Sequence, residues 1–405
     1  MKILHTSDWH IGQVFKSFSR QVEHEMFFVW LKDTIVKEEI EVLLVAGDIF
    51  DVNNPSSAAL KTYYNFLTSL QNTTCRKIII TGGNHDGIAT LDAPKELLEV
   101  LNIDVVSGNK NSMEDKNNLI IPVYDKQEKL ATVVCAVPYL RDQVVRKSLS
   151  NQSSADIETQ LKEGIRNYYR ETLEVAQKIS SSVPIIAMGH LTVMGTSSSS
   201  SEQELYIGKL QSLNSSVFDG YDYVALGHLH RAQRVASSDT IRYSGSPIPL
   251  SFSEVNSEKK VLMIDASKKE VQVDEIPIPA FRKLFHIKGK LVNILEQLTS
   301  LSKEAFALTP LVEVSIEDEF TTTDIVSSIY KTIEEMNLEV LQINSQNREK
   351  EIRNEVEVLN LDDITPLKAF DIKLDENTQL LDDETRAMVI DCFKEIEEEV
   401  RHENS

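Results

Sequence analysis

The sequence predicts an α/β protein with a layered main domain and at least one smaller domain after it. Over the first 265 or so residues, short β-rich apolar runs alternate with amphipathic helical stretches, the pattern of a layered α/β domain. The chain has 405 residues, which at roughly 100–200 residues per domain predicts two or three domains.

Short apolar runs in this first part are interpreted as strands, with helices between them. The strand candidates are KILHTS, EVLLVAGD, KIIITGGN, DVVSG, TVVCAVPYL, VPIIAMGH and DYVALGH. One predicted helix is capped by Ser19 and has apolar positions at Val22, Met26, Val29, Trp30 and Val36. Another starts at Asp156 and has apolar positions at Leu161, Ile165, Tyr168, Leu173 and Ala176.

A second, small α+β domain is predicted after the segment IPIPAFR, around residues 277–282, which we interpret as a linker. Its predicted elements are the strand KLFHIKG, a helix over Leu291–Leu301, the strand LVEVSIE, a helix over Thr323–Met336 and the strand EVLQINSQ. Before it, the serine-rich stretch MGTSSSSSEQ (194–203) is predicted to be a mobile surface loop.

The tail is acidic and contains two predicted amphipathic helices. The first is capped by Thr365 with Pro366 at its first position, and its apolar face holds Leu367, Phe370 and Leu374. The second starts at Asp382 or Asp383 and has an apolar stripe of Val389, Phe393, Ile396 and Val400. Two short helices cannot bury both stripes alone, so they either pack against the body of the chain or dock onto a partner.

The net charge of −21 is the reverse of the basic footprint usual in nucleic-acid-binding proteins. From Lys350 to Ser405, however, 7 Lys and Arg stand against 17 Asp and Glu, so nearly half of the negative charge lies in the tail. The charge therefore neither establishes nor excludes a DNA substrate.

Several features predict a cytoplasmic protein without membrane association. No apolar stretch approaches the roughly 20 residues that span a bilayer, and the N-terminal sequence MKILHTSDWH lacks the apolar core of a secretory signal. The cysteines, Cys75, Cys135 and Cys392, are far apart in the sequence. That distribution suits a reducing compartment and argues against a disulfide framework or a thiolate zinc site.

Residues of metal-ligand type directly follow five of the predicted strands. In chain order these are Asp8 and His10 in D-W-H, Asp48 and Asp51 in GDIFD, Asn84, His85 and Asp86 in GGNHD, His190 in MGH, and His228 and His230 in GHLH. A single such histidine is most simply a hydrogen-bonded core residue. Open α/β sheets, however, bind ligands beyond the carboxyl ends of their strands, so five such groups in succession predict a convergent site.

The residue types predict divalent metal ions. Carboxylate, imidazole and amide oxygen without sulfur form a donor set suited to Mn²⁺, Fe²⁺ or Zn²⁺. There are more candidate ligands than one ion needs. Two ions about 3.5–4 Å apart and bridged by one carboxylate would use them, and such pairs catalyse in-line phosphoryl displacement.

The motifs D-x-H, GD-x-x-D, GNHD, GH and GHxH, in this order, resemble those of the calcineurin-type metallophosphoesterases. The longer strings ILHTSDWHIGQ, VAGDIFD, GGNHDG, YIGKL, ALGHLHRAQ and RYSGSPIPLSF resemble the SbcD family, the nuclease subunits of bacterial SbcCD complexes, and the likeness runs over the whole length. The resemblance implies a four-layer α/β/β/α sandwich over residues 1–276. It also implies a small α+β capping domain over 282–347 and C-terminal helices over 362–405 that dock the partner.

The resemblance also implies a role for each ligand. One ion would be held by Asp8, His10, Asp48 and His230, and the other by Asp48, Asn84, His190 and His228. Asp48 would then bridge the two ions. His85 would contact the phosphate or protonate the leaving oxygen, and Asp51 would orient His85.

Two further groups of residues have open interpretations. Tyr243, Gly245 and Ser246 either line a DNA cleft or form a turn at the end of a strand. The remaining histidines, which fit no motif and are interpreted as structural or surface residues, are His5, His24, His286 and His402.

The function implied by the resemblance is that of a DNA nuclease that uses two Mn²⁺ ions. It would degrade double-stranded ends as a 3′→5′ exonuclease and cut single-stranded or hairpin DNA as an endonuclease. Its partner would be an SbcC-like, SMC-type ATPase that gates DNA access in a heterotetramer containing a nuclease homodimer, formed through the helix around Ala58–Leu70. It would be cytoplasmic, and associated with the nucleoid when bound to DNA.

Two alternatives remain open from the sequence. The same metal core also serves protein phosphatases and cyclic-nucleotide phosphodiesterases, but the SbcD-like strings and the C-terminal additions argue against these. A non-catalytic scaffold that binds DNA ends or an ATPase is the other alternative. The presence of every ligand, together with His85, argues against it.

Overall fold

The structure, a computed structural model, describes residues 1–145, 154–197, 202, 213–317, 323–334 and 336–345, and the single positions 370, 389 and 393. The predicted tail helices that begin near Thr365 and Asp382 therefore lie outside the described residues, except for those single positions. At two of them, the rings of Phe370 and Phe393 stack with their centroids 4.0 Å apart. Half of the serine-rich stretch, the string YIGKL and His402 also lie outside the described residues.

The chain alternates short strands with helices as the sequence predicts. The strands are β1 (Lys2–Thr6), β2 (Val14–Phe15), β3 (Phe18–Ser19), β4 (Val42–Ala46), β5 (Lys77–Thr81), β6 (Ile103–Val106), β7 (Ile120–Tyr124), β8 (Leu130–Ala136), β9 (Ile185–His190), β10 (Tyr223–Gly227), β11 (Gln233–Arg234), β12 (Ile241–Tyr243), β13 (Lys260–Asp265), β14 (Gln272–Pro277), β15 (Leu284–Gly289), β16 (Leu311–Ile316) and β17 (Glu339–Ser345). The helices are α1 (Gln21–Lys37), α2 (Ser57–Ser69), α3 (Ile88–Asp92), α4 (Lys95–Val100), α5 (Lys110–Glu114), α6 (Asp142–Val145), α7 (Ser154–Ile179), α8 (Leu291–Leu301) and α9 (Thr323–Ile333). Each of the seven strand candidates of the main domain forms a strand.

Two six-stranded sheets form the main domain. The first has the order β14-β13-β1-β4-β5-β6, and the second the order β11-β12-β10-β9-β8-β7. In the first sheet β1, β4, β5 and β6 are parallel, and in the second β8, β9, β10 and β12 are parallel. The parallel strands of each sheet therefore end at one common edge, where the polar residues that follow these strands meet.

The two sheets pack face to face, with helices on both outer faces. In β4, Leu44 and Ala46 face the core between the sheets, whereas Leu43 and Val45 face α1 and α2. On the far side, Cys135 of β8 packs with residues of α7. This alternation of side chains with a period of two produces the α/β/β/α order, and the predicted four-layer sandwich is confirmed.

The prediction for α1 was right to within one residue in where the helix starts and wrong in its buried face. Val22, Val29 and Val36 are 44, 64 and 48% exposed, and the helix is preceded by Arg20 rather than capped by Ser19. The face that packs on the first sheet is instead the one that contains Phe27 and Leu31. Both faces are apolar in sequence, and the aromatic one is buried because its larger rings fill the space against the sheet.

The predicted stripe of α7 is confirmed, since all five of its apolar positions are buried. The helix begins two residues earlier than predicted, at Ser154. It contains many charged residues, and neither α7 nor any other described helix is long and apolar enough to cross a membrane.

The elements of the predicted small domain are present at nearly the predicted bounds. Strands β15, β16 and β17 form a three-stranded sheet in that order, and α9 ends at Ile333 rather than Met336. The chain divides into two compact units, of which the first comprises Met1–Ile287, Glu296–Val314 and Thr332–Gln342. That unit holds both large sheets and the site described below. The domain boundaries at 276, 282 and 362 stay predictions.

Candidate metal centre

The loops after β1 and β4 run side by side and are held by backbone hydrogen bonds. The Asp8 amide donates to the Gly47 carbonyl over 3.0 Å, and the His10 amide donates to the Asp48 carbonyl over 3.0 Å. Asp8, His10 and Asp48 have φ angles of 52°, 47° and 50°. Such left-handed conformations cost non-glycine residues about 1–3 kcal/mol each, and here they fall on three candidate ligands.

Two glycines leave room for these side chains. A Cβ atom at Gly47 would lie 2.2 Å from Nδ1 of His190, and one at Gly83 would lie 2.1 Å from Oδ1 of Asp48. Gly47 also has a φ of 84°, which favours glycine. The glycines that precede the ligand motifs are therefore needed for the close approach of backbone and ligand.

His190 from the second sheet meets Asp48 and Asn84 from the first. Its Nε2 lies 2.9 Å from Oδ1 of Asn84 and 3.2 Å from Oδ2 of Asp48. Its Nδ1 donates to the Ala46 carbonyl over 3.1 Å, so in a neutral ring Nε2 presents a lone pair. A lone pair that faces two oxygen atoms requires a cation or a proton between them, so this group fits a metal ion.

A second group of candidate ligands includes His10, which also faces Asp48, and Asp8, which lies near Asp48 and His190 as well. Asp8, His10 and His230 offer ligand atoms that lie within 4.8 Å of one another. Nδ1 of His10 donates to Oδ1 of Asp51 over 3.2 Å, which turns Nε2 toward the group. That Nε2 is buried without a hydrogen-bond partner and lies 3.6 Å from Oδ2 of Asp48. A buried ring nitrogen with an unused lone pair is a suitable ligand for a metal ion.

Asp48 lies between the two groups, with Oδ2 facing both His10 and His190. His228 ties the sheets together beside it, because its amide donates to Oδ1 of Asp8 over 2.8 Å. The rings of His190 and His228 have centroids 5.4 Å apart. This placement suits a bridging carboxylate, and two ions fit the ligands that surround it.

Burial and the charges of neighbouring groups have opposing effects on the pKa values of Asp48 and His190. Burial raises the pKa of the Asp8 carboxyl to about 7. Burial lowers the pKa of His190, but the charge of Asp48 outweighs it and raises that pKa to about 9. Burial likewise disfavours the Asp48 carboxylate, yet the charge of His190 holds the pKa of Asp48 well below its usual range. Metal ions bound here must therefore displace protons, and their affinity should weaken as the pH falls.

Asp51 contacts both His10 and His85, but through different atoms. Its carboxylate bonds Nδ1 of His10, whereas its backbone carbonyl accepts from Nδ1 of His85 over 2.8 Å. The predicted orientation of His85 by Asp51 thus involves the main chain and not the side chain. Because Nδ1 of His85 donates to this carbonyl, its Nε2 is left for a substrate.

Tyr243 and Ser246 are fully buried, and their contacts favour the interpretation as a turn. The Tyr243 hydroxyl donates to the Leu191 carbonyl over 2.6 Å and accepts from the Val193 amide over 3.1 Å. Gly245, with a φ of 75°, forms the turn itself. Tyr243 thus holds the segment after His190, whereas Ser246 bonds the His230 carbonyl through its amide, and neither presents its buried side chain to a cleft.

Comparisons with known proteins agree with this geometry. A family model described as calcineurin-like phosphoesterase matches residues 1–232, and the SbcD_C model, described as a type 5 capsule protein repressor C-terminal domain, matches 280–378. The SbcD component of the nuclease SbcCD from Escherichia coli is 35% identical over 87% of this chain and 86% of its own length. The chain belongs to the SbcD family of calcineurin-like phosphoesterases.

A second SbcD protein, from Rhodobacter capsulatus, is 33% identical over 84% of this chain and 85% of its own length. A solved structure of a dimetal phosphatase from Danio rerio matches 69% of this chain and 99% of its own chain. The sequence identity is 11% and the TM-score is 0.38. The predicted family and the predicted enzyme class, a metal-dependent nuclease hydrolase, are confirmed by membership of the SbcD family.

Asp86 has a structural role in this SbcD-family site that the motif alone did not specify. Its buried carboxylate accepts from the amides of Gly83 (2.8 Å), Phe50 (3.0 Å) and Ile49 (3.1 Å). It therefore joins the loop after β4, which holds Asp48, to the loop after β5. Its place within GGNHD was the available signal, but the distant amides could not be known from sequence.

Asp86→Asn is expected to lower the free energy of unfolding by about 1–6 kcal/mol, since one or two buried donors lose their acceptor at about 1–3 kcal/mol each. Denaturant unfolding monitored by circular dichroism measures this change. Asp125→Asn is the matched control, because its carboxylate accepts the amides of Gln127 and Lys129 in a turn at the surface. Equal effects of the two substitutions would contradict the role given to Asp86.

The histidines outside the motifs are structural where they are described. Nδ1 of His5 lies 3.0 Å from the Tyr223 hydroxyl, and Nε2 of His24 donates to the Trp9 carbonyl over 2.8 Å. His24 thereby supports the loop between Asp8 and His10. His286 is partly exposed, with its side chain 42% accessible and 3.8 Å from Glu313.

Proposed function

We propose that the chain hydrolyses DNA phosphodiesters with two Mn²⁺ ions, as the nuclease subunit of an SbcCD-type complex. The observation that supports this most is the position of Asp48 between two groups of ligand atoms, with His85 beside them. Asp48 accepts the His85 amide over 2.9 Å, so the histidine is placed next to the paired ligands. The set of oxygen and nitrogen donors without sulfur suits Mn²⁺.

Two divalent ions bound at this site would supply an activated water and offset the charge that develops on the phosphate. The protein residues supply the remaining functions. His85 is held through its amide and Nδ1, so its Nε2 can contact the phosphate or deliver a proton to the departing 3′-oxygen. Asp51 and the Ala46 carbonyl fix the rings of His10 and His190 with their Nε2 atoms toward the ions.

The proposed activities are 3′→5′ exonuclease action on double-stranded ends and endonuclease action on single-stranded and hairpin DNA. The test is digestion of end-labelled linear and hairpin DNA in the presence of Mn²⁺, beside a phosphopeptide and a cyclic nucleotide. Cleavage of DNA alone is the expected result. Hydrolysis of the phosphopeptide or the cyclic nucleotide without DNA cleavage would favour the phosphatase or phosphodiesterase alternative, and no hydrolysis would favour a scaffold.

The partner is proposed to be an SbcC-like, SMC-type ATPase, docked by the acidic tail and gating DNA access with ATP. The tail contains apolar residues at helical spacing that need a covering surface. The partner would also supply basic surface for DNA, which would offset the net charge of −21 of this chain. The capping domain would help to position DNA.

A homodimer through α2 and a cytoplasmic location, at the nucleoid when on DNA, belong to the same proposal. With two ATPase subunits, such a nuclease dimer would form a heterotetramer.

A chain that ends near Asn347 is expected to keep intrinsic nuclease activity and to lose ATP-stimulated cleavage with the partner, because the docking helices are removed. Co-purification and cleavage assays with the ATPase measure both effects. In the full-length chain, Phe370→Ala with Phe393→Ala removes the stacked ring pair and should weaken the same association. Unchanged co-purification of the shortened chain would refute the docking proposal.

A further inference from the structure

A buried lysine–glutamate pair lies behind His230. Glu254 is fully buried and Lys259 is 7% exposed. The ammonium group of Lys259 donates to the His230 carbonyl over 2.9 Å and to the Ser246 hydroxyl over 2.8 Å, and it pairs with Oε2 of Glu254 at 2.5 Å. The SbcD-like string RYSGSPIPLSF contains Ser246 and ends just before Glu254.

Stability alone is a weak reason for such a pair. Removing two charges from water costs several kcal/mol, and well-packed apolar residues are often as stable in their place. Here the three donor positions of the ammonium group each have an acceptor, so the pair is fully satisfied and its geometry is fixed. Outside its own segment, the pair bonds the backbone oxygen of His230, which is a candidate metal ligand.

His230 is held from several sides by this segment. The Ser246 amide donates to the same His230 carbonyl over 3.2 Å. Oε1 of Glu254 lies 3.8 Å from Nδ1 of His230 and also accepts from the Ser251 hydroxyl over 3.1 Å. A carboxylate oxygen of Glu254 thus faces Nδ1 of His230.

We propose that Glu254 and Lys259 are positioning residues for His230. The pair fixes the position and orientation of the His230 imidazole. It thereby sets the Mn²⁺ affinity of the site formed by Asp8, His10 and His230. The position formed by Asn84, His190 and His228 should depend less on the pair, because the contacts of the pair with the candidate ligands are made at His230. This inference rests on the two-metal assignment made under the proposed function.

Titration of the full-length chain with Mn²⁺, followed by calorimetry, tests the inference. Glu254→Gln and Lys259→Met should each weaken one of two binding events by about 10–100-fold, the usual effect of losing a residue that orients a ligand. The other binding event should be weakened less. Since each single variant leaves an unpaired buried charge, the double variant Glu254→Gln with Lys259→Met carries the test if either fails to fold.

Glu23→Gln is the matched control. Glu23 is equally buried, and its carboxylate pairs with Arg20 at 2.7 Å and with Arg282 at 2.6 Å rather than with a candidate ligand. The substitution should lower the melting temperature while both binding events keep their affinity. If the Glu254 and Lys259 variants behave like this control, or weaken both events equally, the inference is wrong. If the wild-type chain shows no second binding event, it is instead the two-metal assignment that fails.

Discussion

Asp48→Asn is expected to abolish Mn²⁺-dependent DNA cleavage while the fold stays intact. The carboxylate faces His10 and His190 with one oxygen and accepts the His85 amide with the other. A neutral amide lacks the negative charge that would hold two cations between the groups, and with its oxygen in the place of Oδ2 its NH₂ group would face the His85 amide. We expect the cleavage rate to fall by more than the roughly 100-fold that follows the loss of a residue that only orients a metal ligand. The initial rate on labelled duplex DNA measures this loss.

The matched control is Asp33→Asn, the same chemical change on the exposed face of α1. It should leave the cleavage rate unchanged. Circular dichroism and thermal melting of both variants establish that the substituted chains are folded. Retained cleavage by folded Asp48→Asn protein would refute the bridging assignment.

His85→Asn is expected to lower kcat by about 100–10,000-fold, the range that general acid–base groups contribute. Metal binding should persist, because Nδ1 of His85 bonds the Asp51 carbonyl and the proposal assigns the ring to neither ion, although it offers a ligand atom near those of His10 and Asp51. The loss should depend on the leaving group. The nitrophenolate leaving group of a nitrophenyl phosphodiester departs without a proton. The variant should therefore hydrolyse this ester at a rate much closer to wild type than its rate of DNA cleavage.

A comparison of rates on the two substrates, with the Mn²⁺ affinity measured in parallel, checks this role. His286→Asn, on the partly exposed strand β15, is the control and should match wild type on the nitrophenyl ester. An equal loss on DNA and on the nitrophenyl ester would exclude proton delivery by His85. A large loss of Mn²⁺ affinity would instead place His85 among the ligands.

The strands and the ligand edge could be predicted because their signals are local. An apolar run such as DYVALG that stops at glycine and histidine defines both a buried strand and its end, which the structure places at Gly227. Parallel strands end at one edge of a sheet, so the sequence also indicated that the following residues converge. Seven of the described strands were missed, since their pairing depends on contacts that short apolar patterns do not show; they are β2, β3, β7, β11, β12, β13 and β14.

The buried face of α1 and the roles of Asp51 and Asp86 required the folded chain. Either face of α1 could have been buried. The face that contains Phe28 is buried because this ring packs against Trp9, with ring centroids 5.0 Å apart. Whether Asp51 acts through its carboxylate or its carbonyl depends on the course of a loop. Patterns in sequence specify which residues meet at an edge, whereas the contacting atoms follow from tertiary packing.

Two Mn²⁺ ions bridged by Asp48 are the central claim, and electron paramagnetic resonance of the Mn²⁺-saturated chain tests it most directly. Ions about 3.5–4 Å apart, as in two-metal sites, couple magnetically, so the spectrum reports their number and their separation together. We expect two coupled ions per wild-type chain and loss of the coupling in Asp48→Asn. A single ion at saturation, or two uncoupled ions in the wild-type chain, would contradict the account.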